Sequence, residues 1–149
     1  MRKRWLMYGV SGLGVALIVM TMILSGCAQM QSMGVADPLI SALTGQLNVT
    51  TDQAQGGVGS ILALAKEKLS SMDFSTLTKL IPGADTYMKA AKDLGAVTGP
   101  VGDKAGLMSS FSKLGMGSDM VGKFSKVLSD FVAKAGGEPA RNLLAAVLR

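Results

Sequence analysis

Thr50-Thr51-Asp52-Gln53-Ala54-Gln55-Gly56-Gly57-Val58-Gly59-Ser60-Ile61-Leu62-Ala63-Leu64-Ala65-Lys66-Glu67-Lys68-Leu69 decides the fold class. Thr50 and Gln53 have the spacing of a capping box, with Thr50 at the N-cap and Gln53 at N3, so a helix starts here. Ala54, Val58, Ile61, Leu62, Ala65 and Leu69 then recur on one helical face, while Lys66, Glu67 and Lys68 mostly decorate the other. The pattern has the period of an amphipathic helix.

The same reading extends in both directions. Upstream, Asp37-Pro38 places an N-cap before a proline at the first helical position and predicts a short helix through about Gln46. Downstream, Asp73 is expected to cap a third helix carrying Phe74, Leu77, Leu80 and Ile81, which Pro82-Gly83 ends. A fourth helix is expected from Ala84 to Leu94. The run Gly95-Ala96-Val97-Thr98-Gly99-Pro100-Val101-Gly102 is the clearest internal break. Asp103 to Leu114 forms the next helix. Ser118 or Asp119 caps a strongly amphipathic one through Met120, Val121, Phe124, Val127, Leu128, Phe131, Val132 and Ala135. Gly136-Gly137 stops it, and Glu138-Pro139 begins a last helix. Strand-length alternation of β-branched residues is missing. The expected fold is all-α, a compact bundle of about six to seven short helices over residues 37–149.

The two sides of the glycine-rich break match at a separation of 67 positions: Ile40 with Leu107, Leu47 with Leu114, Val49 with Met116, Ala54 with Val121 and Ile61 with Leu128. Thr51-Asp52 falls on Ser118-Asp119 in the same register. One reading is a pair of pseudo-repeated helical units that bury their apolar faces against each other. The other is two unrelated helix pairs sharing cap chemistry.

The N-terminal residues have a different character. Arg2, Lys3 and Arg4 precede an apolar run from Val10 to Leu24, and Leu24-Ser25-Gly26 leads to Cys27, the single cysteine of the chain. This is the order of a secretory leader followed by a bacterial lipobox. Residues 1–26 are expected to be a cleaved signal peptide, Cys27 the site of lipidation, and residues 27–36 a lipidated cysteine with its tether. The apolar run is shorter than the ~20 residues a spanning helix needs. Ala28, rather than aspartate, follows Cys27, which favours the outer membrane, facing the periplasm, if the cell is Gram-negative. From Ala28 to Ala36 the tether reaches at most about 30 Å, so the folded part stays close to the bilayer.

Composition narrows the chemistry. The formal charge of +5 over 149 residues owes much to Arg2, Lys3 and Arg4, and the remainder is close to neutral, which is no footprint for nucleic acid. Histidine is absent, and no carboxylate pair has metal-ligand spacing in an apolar surround. Ser110-Phe111-Ser112-Lys113 matches S-x-x-K, with Ser129-Asp130 and Lys134-Ala135-Gly136 beyond, but the penicillin-recognising enzymes that use these motifs need a larger mixed fold. Gly56-Gly57-Val58-Gly59 lacks the strand of a dinucleotide fingerprint and the Gly-Lys-Ser/Thr of a P-loop; its expected role is close helix packing. Methionines beyond the leader are read as adaptable core filler rather than copper ligands. No catalytic, cofactor or metal residue is assigned.

Several of these residues together resemble an uncharacterised bacterial family, the VcgC/VcgE type of domain of unknown function. The likeness is carried by Val49-Thr50 through Gln53-Ala54, by Gly56-Gly57, Gly59, Ile61-Leu62 and Leu64-Ala65-Lys66, by Asp73-Phe74 and by Ile81-Pro82-Gly83. It continues in Leu114-Gly115-Met116, Met120-Val121, Phe124, Leu128, Phe131 and Gly136-Gly137. The resemblance implies a small exported helical domain and brings no catalytic residue with it. The expected function is that of a non-enzymatic envelope lipoprotein, held to the membrane through acylated Cys27 and acting on an envelope protein partner. The alternative is a carrier of a lipid or other apolar ligand between the helical units, and a third, enzymatic reading would rest on Ser110 and Lys113.

Overall fold

A computed structural model describes residues 37–149. Six helices follow one another: α1 (Pro38–Leu47), α2 (Thr51–Lys68), α3 (Ser71–Leu80), α4 (Ala84–Asp93), α5 (Lys104–Lys113) and α6 (Asp119–Val147). No strand occurs among the described residues, and the protein is an all-α bundle. Local chemistry sets most of the boundaries. The Asp37 carboxylate accepts the Leu39 N–H at 3.1 Å and starts α1. At α2 both halves of the capping box form: Thr50 Oγ1 accepts from the Gln53 N–H, and Gln53 Oε1 accepts from the Thr50 N–H.

Two helix starts differ from the sequence reading. α3 is capped by Ser70, not Asp73: Ser70 Oγ accepts the Asp73 N–H at 3.2 Å and donates to the Asp73 carboxylate at 2.8 Å. Asp73 is therefore the N3 partner, its charge set in the positive first turn of the helix. At α6, Ser118 occupies the cap position but makes no side-chain capping bond; the Met120 N–H is taken by the Gly117 carbonyl instead. Farther along α6, Gly137 adopts φ 71° and ψ −166°, a conformation open to glycine, and breaks the helical path just before Pro139. α6 is thus a long segment, a kink and a short closing segment, as Gly136-Gly137-Glu138-Pro139 predicts.

α2 lies at the centre and touches every other helix. Its glycines explain how. A Cβ at Gly57 would lie 2.5 Å from Phe124 Cε1 of α6, and one at Gly56 would lie 2.8 Å from Leu114 Cδ2. At Gly59 it would overlap the Tyr87 carbonyl oxygen and sit 2.8 Å from the Ala91 Cβ of α4. The missing side chains let α4 and α6 come in against the α2 backbone, which offsets the roughly 1 kcal/mol each glycine costs in helix propensity. Phe124 also packs edge-to-face on Phe111, with ring centroids 5.0 Å apart. Ile61, Leu62, Leu107, Leu128 and Leu144 complete the centre of the core.

The order of elements repeats across the glycine-rich connection, but the caps that open matched helices lie 66 positions apart for Asp37 and Asp103 and 68 for Thr50 and Ser118, so the 67-residue register holds only at some positions. α1, α2 and α3 have counterparts in α5, the long part of α6 and its closing segment. The turns joining the first two members of each set use left-handed residues at matching places, Asn48 with φ 53° and Gly115 with φ 74°. The pairs Ile40/Leu107, Ala54/Val121, Ile61/Leu128, Ala65/Val132 and Leu77/Leu144 are all buried. Gly57 and Phe124 are themselves a matched pair, and they meet face to face as hole and knob. α4 stands outside this correspondence.

Candidate functional site

The residues that sequence reading singles out do not gather at one place. Cys27, expected from the sequence to be lipidated, lies outside the described residues, as do Met30 and Met33. Ser110 is buried, and its hydroxyl donates to the Gly106 carbonyl of its own helix at 3.1 Å. Lys113 reaches away from it to Thr98 Oγ1 at 3.3 Å. The S-x-x-K spacing therefore does not become a serine–lysine contact. Gly56, Gly57 and Gly59 lie inside α2 and are covered by Leu94 and Leu114, by Phe124, and by Tyr87 and Ala91 respectively, so they form no anion-binding loop. Met116 is buried, while Met88 and Met120 are half-buried and pack on the core, but Met72 and Met108 are 81% and 37% exposed and are not filler.

Three polar contacts that local sequence patterns do not announce hold the surface together. The Glu67 carboxylate, at the end of α2, accepts the Val101 N–H and the Gly102 N–H, each at 2.7 Å. It thereby pins the glycine-rich connection onto α2 with two charge-assisted bonds. Replacing Glu67 with alanine is expected to cost about 1–2 kcal/mol and to raise amide exchange selectively at Val101 and Gly102. Unchanged protection there would show that the clamp does not operate in solution. Gln53 uses its amide twice, since Nε2 donates to the Leu114 carbonyl at 3.0 Å while Oε1 serves the cap. The Tyr87 hydroxyl donates to the Asp37 carboxylate and ties α4 to the start of α1.

Two open clefts mark the surface. The larger, about 750 Å³, lies between α2, α4 and the glycine-rich connection. Met88 and Val97 contribute apolar surface, and Lys66, Lys89, Lys92, Glu67 and Asp85 mix both signs around it. Lys89 is already paired with Asp93. The smaller, about 340 Å³, is a groove between α5 and the start of α6, lined by Leu64, Leu107, Val121 and Leu148 with Lys104 and Met108 among its other residues. Asp119 borders it, its carboxyl held below the ordinary aspartate range first by the hydrogen bond from Lys123 and then by that residue's charge. Because this pKa is lowered, the contact supports the fold above the unfolded-state value and is lost as pH falls through the lowered one. Neither cleft collects a nucleophile, a base and an orienting partner. What the surface offers is apolar recesses with charges at their edges.

A family model described as protein of unknown function VcgC/VcgE matches residues 23–149, and the chain belongs to that family. Neither a curated protein nor a solved structure matches it. Among the described residues, no helix is long and apolar enough to cross a membrane.

Proposed function

We propose that this VcgC/VcgE-family chain is a non-enzymatic lipoprotein of the bacterial cell envelope, whose helical domain binds a protein partner close to the membrane. The observation that carries the reading is Leu24-Ser25-Gly26-Cys27, placed after a basic and apolar leader and ten residues before the Asp37 cap that opens the folded part. The thiol of Cys27 takes a diacylglyceryl group, the leader is cut before it, and the new amine is acylated. One acyl chain gives only marginal attachment, and several together give a stable one, at roughly 0.8 kcal/mol for each buried CH₂. Residues 28–36 then hold the bundle within about 30 Å of the bilayer. In a Gram-negative cell, Ala28 directs the anchor to the outer membrane, with the domain in the periplasm.

The domain is built to be a rigid body rather than a chamber. Phe124 and Phe111 fill the space between the two helical sets, and the clefts lie at the surface. That packing favours an interaction domain over a carrier of lipid between the units. Replacing Cys27 with serine tests the anchor. The variant is expected to retain its leader or to leave the membrane fraction as soluble protein, with the melting of the helical domain unchanged. A Cys27→Ser variant that is processed and sediments with the membrane as the parent does would refute lipid anchoring.

A further inference from the structure

One end of the bundle is marked by Asp37, the residue at which the chain from Cys27 joins it. Asp37 accepts the Tyr87 hydroxyl, and a Cβ at Gly83 would lie 3.8 Å from its Oδ2, so it sits beside the start of α4. α4 runs antiparallel to α2, since Leu94 lies on Gly56 while Tyr87 and Ala91 lie on Gly59. Asp85 and Met88 accordingly share a cleft with Ala63, Lys66 and Glu67. Asp37 and the last turns of α2 are therefore at the same end. The opposite end carries Gln53, whose amide reaches Leu114, and the turn through Gly115 and Met116.

The corner between α2 and α3 closes the Asp37 end. Met72, in the first turn of α3, is 81% exposed, against 41% for Leu94 and 37% for Met108. Lys66 and Lys68 precede it in the last turn of α2, both exposed. The ion pairs among the described residues, Lys89–Asp93, Lys123–Asp119 and Arg141–Glu138, engage neither lysine. The two carboxylates of the corner are turned to partners within the fold. Glu67 accepts the Val101 and Gly102 N–H groups, and Asp73 accepts from the Ser70 hydroxyl. What faces outward is a thioether side chain beside two ammonium groups. An exposed methionine alone is ordinary; its place beside the entry of the chain decides the reading.

A lipid surface is the occupant that fits. Residues 28–36 reach at most about 30 Å. From Gly59, level with Asp37 through Tyr87, to Lys68 is about 14 Å along α2, well within that reach. Lysine stems cross the interface while their ammonium groups meet lipid phosphates, and an apolar side chain enters at the acyl boundary. Each lysine near an anionic surface favours the contact roughly fivefold.

We propose that the α2–α3 corner rests on the bilayer that holds Cys27, with Met72 at the acyl boundary and Lys66 and Lys68 against anionic lipid headgroups. The proposal rests on the anchor reading above and adds the orientation that an anchor alone leaves open. It turns the opposite end, with Gln53 and Met116, away from the bilayer.

The test uses the lipidated chain extracted from its own membranes, with methionine methyl groups labelled for NMR, in nanodiscs of phosphatidylethanolamine and phosphatidylglycerol. Spin labels near the headgroup end of the acyl chains are expected to broaden Met72 strongly and to leave Met116 sharp. Replacing Lys66 and Lys68 together with glutamine is expected to lower the docked-to-free ratio about twenty-five-fold. Nanodiscs of phosphatidylcholine alone are expected to act in the same direction on the parent chain. Broadening of Met72 no greater than that of Met116 would overturn the contact. Equal broadening of Met72 in the double variant and in neutral lipid would overturn the role of the lysines. A chain whose mass shows no lipid on Cys27 fails the anchor reading as well, whereas a lipidated chain with Met72 sharp fails this proposal alone.

Discussion

Gly59→Val is expected to destabilise the domain by roughly 3 kcal/mol or more, at or beyond the upper end of ordinary overpacking. The reason is that the obstacle is backbone. A Cβ at this position overlaps the Tyr87 carbonyl oxygen, and the Ala91 Cβ lies 2.8 Å away, so no rotamer change relieves the clash. α4 must lift from α2, which exposes Tyr87 and Ala91 and strains the hydroxyl contact from Tyr87 to Asp37. A converse substitution on α6 serves as control. Gly122 is helical and its Cβ direction is open, so Gly122→Ala is expected to raise stability by about 0.5–1 kcal/mol through helix propensity alone. Chemical denaturation of both variants checks the pair. A Gly59→Val protein as stable as its parent would mean that α4 does not pack on α2 as described.

Phe124→Ala is expected to cost about 3–5 kcal/mol. Its ring is fully buried, stands edge-on to Phe111 at 5.0 Å and occupies the hollow that Gly57 leaves in α2. Truncation removes contacts on both sides at once and opens a void between the two helical sets. The same geometry predicts coupling. Gly57→Ala alone places a methyl 2.5 Å from Phe124 Cε1, whereas in a Phe124→Leu background that methyl has room. The double variant is expected to be more stable than the sum of the single losses predicts, a non-additivity read by a double-mutant cycle. Strict additivity would place Gly57 and Phe124 out of contact.

Which features were legible depends on the distance over which their chemistry acts. The α2 capping box could be read directly because Thr50 and Gln53 satisfy each other three residues apart. The break at Gly137 and restart at Pro139 was legible for the same reason: both residues constrain their own backbone. At α3 the local code was ambiguous. Ser70 and Asp73 are both capping residues, and only their reciprocal bonds show that Ser70 is the cap and Asp73 the N3 partner. The α2 glycines announced a close approach but not by what; the approaching groups are Leu114, Phe124 and Tyr87, all distant in sequence. Glu67 carried no signal at all, since its partners are backbone N–H groups in a connection 34 and 35 residues away. The groove beside Lys104 was illegible because Leu64, Leu107, Val121 and Leu148 reach it from four separated stretches of the chain. Ser110 and Lys113 illustrate the opposite error, a spacing that matches a motif while each side chain is turned to a different neighbour.

The central claim, that the domain is held to the envelope through Cys27, is tested most directly by the intact mass of the protein extracted from its own membranes. The account predicts a chain that begins at Cys27 and carries the added mass of a diacylglyceryl group and an amide-linked acyl chain, all of it on the N-terminal peptide. A chain that retains residues 1–26, or one in which Cys27 bears no lipid, would contradict it.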